Sequence, residues 1–249
     1  MLFTQTLEKL RALRLEGMAQ ALEEQRHQND IVPLSFEDRL ALLVERQWLW
    51  QENRGLAIRL KNAQLKISAN LEDLDYRSSR GLKRAQIDQL RASPWVKEHR
   101  NCLITGPTGS GKTYLACAVG AQACREGYRT LYFYAPKFFR ALETARADGS
   151  LLSLLQKLAR APLIIVDDLG IASVTGKLYR EFLEMLDDRQ GQGATLITSQ
   201  FPVNQWHEVI ADPTVADAIL DRLVHNAYRI ELKGESMRKG KMPPSENGN

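Results

Sequence analysis

Hydrophobic positions recur along this chain with two different periods, and the change between them divides it. Over residues 1–68 the spacing is helical, with Leu7, Leu10, Leu15, Met18 and Leu22 forming a loose apolar stripe on a first helix. Pro33 separates it from a second helix, which the capping-box pattern Ser35-Phe36-Glu37-Asp38 opens and on which Phe36, Leu40 and Leu43 recur at i, i+4 and i+7. Trp48 and Trp50 come next, either as packing and protomer-contact anchors or as platforms for stacked bases. Residues 68–79 read as a connection.

From residue 101 onward, short apolar runs alternate with helical segments. Strands are predicted at 101–105, 130–134, 163–167 and 195–199, and helices at 113–119, 137–147, 151–160 and 177–188. Leu163-Ile164-Ile165-Val166 is apolar without alternation, as in a strand covered on both faces of a parallel sheet. The pattern therefore predicts an α/β domain over 69–240, a small all-helical N-terminal domain over 1–68, and a disordered tail over 241–249.

The chemistry lies where the first strand meets the first of those helices. Gly106-Pro107-Thr108-Gly109-Ser110-Gly111-Lys112-Thr113 matches G-x-x-x-x-G-K-[ST], the phosphate-binding loop of nucleoside triphosphatases. Its glycines let successive backbone N–H groups turn toward a phosphate, and the adjoining helix presents its positive dipole end. Lys112 is expected to reach the β and γ phosphates of ATP, and Thr113 to supply a hydroxyl to Mg²⁺, with Tyr114 completing the nucleotide-binding set. Fifty-five residues beyond the lysine, the apolar strand ends in Asp167-Asp168, the form of a Walker B strand. Asp167 is expected in the Mg²⁺ shell and Asp168 as the base that polarises the attacking water. Thr198, Ser199 and Gln200 close the last predicted strand beside the γ-phosphate position. Ser199 is taken there as the catalytic candidate, although strand-end Ser and Thr are also ordinary turn residues.

Composition narrows the class further. The 249 residues are 44% hydrophobic, enough for a substantial core. Met1-Leu2-Phe3-Thr4 leads directly into charged helix, and no apolar run approaches the roughly 20 residues of a membrane span, so a cytoplasmic protein is expected. Cys102, Cys117 and Cys124 lack metal or redox spacing and read as small buried hydrophobes, and the four histidines are scattered. The net charge of +4 is uneven: between Arg54 and Arg91, nine Lys or Arg stand against four acids, a local net of +5. Arg54, Arg59, Lys61, Lys66, Arg80, Lys83 and Arg84 from this stretch are candidate contacts to duplex DNA phosphates, or else a solvated helix face.

Taken together, these motifs resemble the IstB/DnaC-like family of AAA+ ATPases, the helpers of insertion-sequence transposition and loaders of helicases. The resemblance extends over nearly the whole chain: Glu52-Asn53-Arg54 and Arg59-Leu60-Lys61, Leu71 to Tyr76, the phosphate loop, Asp167-Asp168-Leu169-Gly170, Thr198-Ser199-Gln200, Ala216 to His225, and Tyr228 through Arg238. It implies a P-loop NTPase fold of AAA+ type without a C-terminal lid domain, for which the roughly ten residues after Arg238 leave no room. It also implies that Arg222 is similar to the arginine finger that reaches a neighbouring protomer's nucleotide, and Arg238 to a second sensor arginine. The carboxylate pair is Asp-Asp, as in this subgroup, where the wider AAA+ group has Asp-Glu. The resemblance thus raises the expectation of a homo-oligomer with ATP between protomers, bound to duplex DNA and serving an IstA-like transposase. A helicase loader, gripping a helicase and preferring single strands, and a monomeric metabolic kinase, needing a lid and a small-substrate pocket, are the alternatives.

Overall fold

A computed structural model of the chain describes residues 2–27, 31, 33–76, 81–92, 94–171, 174–210 and 212–234. They fall into two compact units, Met1–Ile58 and Arg59–Asn249. The division lies nearer the N-terminus than the 68/69 junction expected from the sequence, because Ala63, Ala69, Leu71 and Leu74 are buried, the last three in the core of the second unit. The expected tail at 241–249 lies outside the described residues.

The first unit contains α1 (Leu2–Ala12), α2 (Glu16–His27) and most of α3 (Phe36–Ala63). The single first helix predicted from the leucine stripe is broken at Arg14, whose φ of 61° is left-handed and turns the chain between α1 and α2. Ser35 caps α3 as its sequence pattern requires, accepting from the Asp38 N–H at 3.1 Å. The α2–α3 contact is close at Gly17, where a Cβ would come within 2.8 Å of Gln47 Cα and Trp50 Cβ. Gln47 accepts from Met18 N–H at 3.1 Å, and Gln25 donates to the Arg39 carbonyl at 3.1 Å. Phe36, Leu40 and Trp48, by contrast, are largely exposed.

The second unit is organised on a sheet of β1 (Asn101–Thr105), β2 (Thr130–Tyr134), β3 (Leu163–Leu169), β4 (Ala194–Ser199) and β5 (Ala227–Glu231). The strands are parallel and stand in the order β2-β3-β4-β1-β5. Helices α4 (Arg84–Arg91), α5 (Pro94–Lys97), α6 (Lys112–Arg125), α7 (Ala135–Asp148), α8 (Leu151–Ala159), α9 (Gly176–Arg189), α10 (Trp206–Val209) and α11 (Pro213–Val224) complete it. The apolar face of α6 packs with Cys102, Ile104, Ile165 and Leu196 in one core, and α7, α8, α9 and α11 enclose a second core with Leu103, Ile164, Val166 and Ile197. Alternate residues of β1, β3 and β4 thus face opposite layers, and this double covering accounts for their continuous apolar sequences. Cys102, Cys117 and Cys124 are free thiols buried in this unit. Among the described residues no helix is long and apolar enough to cross a membrane.

Candidate functional site

The strand order is what assembles the site. β4 lies between β1 and β3, with Ile104 opposite Thr198, Thr105 opposite Ser199, and Val166 opposite Ile197. The carboxyl end of β4 is thereby placed between the loop leaving β1 and the two carboxylates ending β3, at the edge where parallel sheets bind ligands.

The loop at 106–111 depends on glycine. Gly109 and Gly111 have φ of 81° and 95°, and a Cβ on Gly106, at φ 148°, would overlap the carbonyl oxygen of Leu232. Gly111 stands immediately before α6 and accepts from Leu115 N–H at 2.9 Å, so the chain enters the helix with N–H groups directed at the loop. Lys112 is buried, its ammonium donating to the Gly106 and Pro107 carbonyls at 2.8 and 2.9 Å. Thr108, at the exposed tip, donates to Gln200 Oε1 at 2.7 Å. Tyr114 is half-buried against the core.

Asp167 is fully buried and is the hub of the site. Thr113 Oγ1 donates to its carboxylate at 2.9 Å, Tyr132 Oη at 2.7 Å and Thr198 Oγ1 at 2.7 Å. Burial first, and then the carboxylate it donates to, push the Tyr132 hydroxyl well above its ordinary range, so it remains a donor. The next residue, Asp168, has a left-handed φ of 62°, and the β3–β4 register shifts between Val166 and Leu169. An aspartate tolerates this conformation at a cost of about 1 kcal/mol. Here its N–H donates to Thr198 Oγ1 at 2.8 Å, so one hydroxyl holds both acidic residues.

Several sequence-predicted residues are placed differently from expectation. Ser199 does not face the carboxylates: its hydroxyl donates to the Leu169 carbonyl at 2.8 Å and accepts from Phe201 N–H at 3.2 Å, while the neighbouring Thr198 occupies the position expected of it. Side chains alternate along a strand, so one residue decides which hydroxyl meets Asp167. Lys66 is exposed and also reaches the site, with Nζ 3.8 Å from Asp167 Oδ2. Arg59 donates from Nε to the Cys124 carbonyl at 2.8 Å, capping the last turn of α6. Arg54, Lys61, Lys83 and Arg84 are exposed, Arg54 lying 5.1 Å from the Trp50 ring centroid and Arg84 5.8 Å from that of Tyr76. Arg80 and Arg238 lie outside the described residues.

Arg222, near the end of α11, donates to Asp187 and Asp221, each at 2.6 Å, and the Asp187 bond raises its already high pKa. Asn101, the first residue of β1, donates to the Arg222 carbonyl at 2.9 Å. The phosphate loop leaves the other end of that strand, on the order of 15 Å away at about 3.3 Å per residue.

The residues brought together fit a magnesium–nucleotide pair. They supply a hydroxyl and a carboxylate oxygen in contact, the hard donors that Mg²⁺ takes alongside phosphate oxygens, and a glycine cradle at a helix N-terminus. Tyr132 is the part that no local motif marks, and the Thr198-Ser199-Gln200 strand end does not show that it is Thr198 that bonds Asp167, because each meets Asp167 only from a neighbouring strand.

The family described as "IstB-like ATP binding protein" matches residues 8–243. The chain is 47% identical over 239 residues to a putative insertion sequence ATP-binding protein, y4pL, of Sinorhizobium fredii (strain NBRC 101917 / NGR234), covering 96% of this chain and 98% of that protein. It is 30% identical to the putative ATP-binding protein of insertion sequence IS21 from Pseudomonas aeruginosa, covering 92% of this chain and 86% of that one. Among solved structures, DnaI is similar at a TM-score of 0.57 and 24% identity, over 66% of this chain and 91% of that one. The DnaC helicase loader is similar at 0.51 and 19%, over 66% and 97%. These two likenesses are of fold.

Proposed function

The chain belongs to the IstB-like ATP-binding protein family, and from that membership and the geometry of its site we propose that it is an ATP-dependent helper of insertion-sequence transposition. Its protomers bind ATP with Mg²⁺, assemble on duplex target DNA, hydrolyse the nucleotide, and recruit or activate a partner transposase. The observation that carries this reading is the Asp167 hub: a buried carboxylate bonded to the hydroxyl after the phosphate-loop lysine and to the end of the intervening strand.

In this reading the backbone of residues 106–111, with Lys112, binds the phosphates, and Thr113 and Asp167 hold Mg²⁺. Mg²⁺ held there would neutralise the charge that develops on the phosphates. Asp168 accepts the proton of the attacking water, and Thr198 keeps Asp168 turned out of β3 while orienting Asp167. Arg222, far from its own phosphate loop, serves a neighbouring protomer's nucleotide after exchanging Asp187 and Asp221 for phosphate. That requirement links assembly to the nucleotide, since a ligand bound between protomers favours the oligomer by mass action. Each unit supplies exposed cations for DNA phosphates, Arg54 on the first and Lys61, Lys83 and Arg84 on the second; such contacts are indifferent to base sequence.

Steady-state hydrolysis with and without duplex DNA tests the reading. Wild type is expected to turn over ATP faster with duplex. Lys112→Ala loses nucleotide binding, while Asp168→Asn binds ATP and loses about a hundredfold or more of turnover. Equal turnover in Asp168→Asn and wild type would contradict the assignment.

A further inference from the structure

The segment after α3 crosses the phosphate-loop helix. A Cβ placed on Gly120 would come within 3.0 Å of Leu65 Cδ2, so Leu65 packs directly on α6. The backbone of Lys66 and Ile67 lies beside the Cys117 thiol on the same helix. From this strap Lys66 extends to two groups, its ammonium 4.9 Å from the Tyr134 ring centroid and 3.8 Å from Asp167 Oδ2.

The two partners are unequal. Asp167 is 0% exposed and accepts from three neutral hydroxyls, whereas the Lys66 side chain is 45% exposed. A carboxylate withdrawn from water is costly without a counter-charge, and the ammonium offsets part of that cost. The contact is longer than a hydrogen bond and open to solvent, so it is an ion pair that exchanges easily. A divalent ion taken up by Asp167 and Thr113 would neutralise the same carboxylate, and two cations a few ångströms apart repel.

We propose that Lys66 is the resident counter-charge of Asp167 and gives way when Mg²⁺ and nucleotide bind, loosening the strap at 64–68. Because α3 runs without interruption from Phe36 to Ala63, this places a nucleotide-sensitive element directly at the end of the helix shared with the N-terminal unit. The inference rests on the reading of Asp167 and Thr113 as the Mg²⁺–nucleotide site.

Two measurements on the full chain test it: titration of Mg²⁺ at fixed fluorescent ATP analogue, and hydrogen exchange of the peptide covering 64–70. In wild type, exchange of this peptide rises by about threefold or more when Mg²⁺ and a non-hydrolysable ATP analogue bind. Asp167→Asn shows the raised exchange without nucleotide. Lys66→Met lowers the half-saturating Mg²⁺ about two- to fivefold, the scale of a half-exposed ion pair, and Lys66→Arg restores it. Unchanged or reduced exchange on binding would overturn the proposal. So would weaker analogue binding by Lys66→Met in the absence of Mg²⁺, which would make Lys66 a phosphate ligand. A wild-type titration that never saturates would overturn the site reading itself, and the inference with it.

Discussion

Thr198 uses one hydroxyl twice, donating to Asp167 and accepting from the Asp168 N–H, so its loss removes two bonds from the acidic pair. Replacing it with valine keeps the shape and leaves a buried carboxylate oxygen and a partly buried N–H short of partners, at about 1–3 kcal/mol. Under the proposed mechanism, Thr198→Val loses about tenfold or more in turnover, while nucleotide affinity changes by less than about threefold. Ser199→Ala, which frees the Leu169 carbonyl and Phe201 N–H, lowers stability by about 1–2 kcal/mol and leaves turnover within about threefold. Comparing kcat and KM of the two variants checks the pair, and the reverse ranking would return the catalytic position to Ser199. The sequence places a hydroxyl here but not which one, because Ala194–Ser199 is buried on both faces and has no alternation to show which side chains meet Asp167. The phosphate loop and Asp167-Asp168 are legible for the opposite reason: their chemistry is set by neighbours in the chain. Tyr132 and Lys66 come to Asp167 from 35 residues before it and from the strap across α6, and nothing local marks them.

At the scale of elements, Asn101 fastens three of them at one point. Its Nδ2 donates to the Arg222 carbonyl at 2.9 Å, at the end of α11, and its Oδ1 accepts from Thr195 N–H at 3.0 Å, at the start of β4. A helix leaves its last carbonyls without internal partners, so this amide acts as a C-cap supplied by β1. Asn101→Ala is expected to cost about 2–3 kcal/mol in urea unfolding, with the slope of the transition unchanged. A loss below about 0.5 kcal/mol would show that water replaces the amide fully. Arg189 fastens the layer beside it, with its guanidinium on the Leu158, Ala161 and Ala194 carbonyls and its Nε on Thr195, and burial lowers its pKa to about 10. The predicted strands match β1 to β4 closely because their apolar runs are short and bounded by turns. Helix α4 and strand β5 are not assigned by periodicity: α4 presents only Ile87 and Leu90 to the core, and β5 is an edge strand with exposed polar positions. The break between α1 and α2 is hidden because Arg14 carries no turn signal such as Gly or Pro.

At the scale of the molecule, the proposed function ties the nucleotide site to an assembly. The phosphate loop and its acidic partners stand at one end of β1, while Arg222 is held at the other end by Asp187 and Asp221. Under the proposed mechanism the two halves of the hydrolytic apparatus are thus separated within one protomer, and a second copy would supply the arginine. The decisive experiment is sedimentation of the full chain on duplex and single-stranded DNA, with ATP, with ADP, and with Asp168→Asn in ATP. Oligomers on duplex are expected to form with ATP, persist in Asp168→Asn and dissolve with ADP. Assemblies that prefer single strands would favour a helicase loader instead, and a protomer that stays single on DNA whatever the nucleotide would contradict the proposed function.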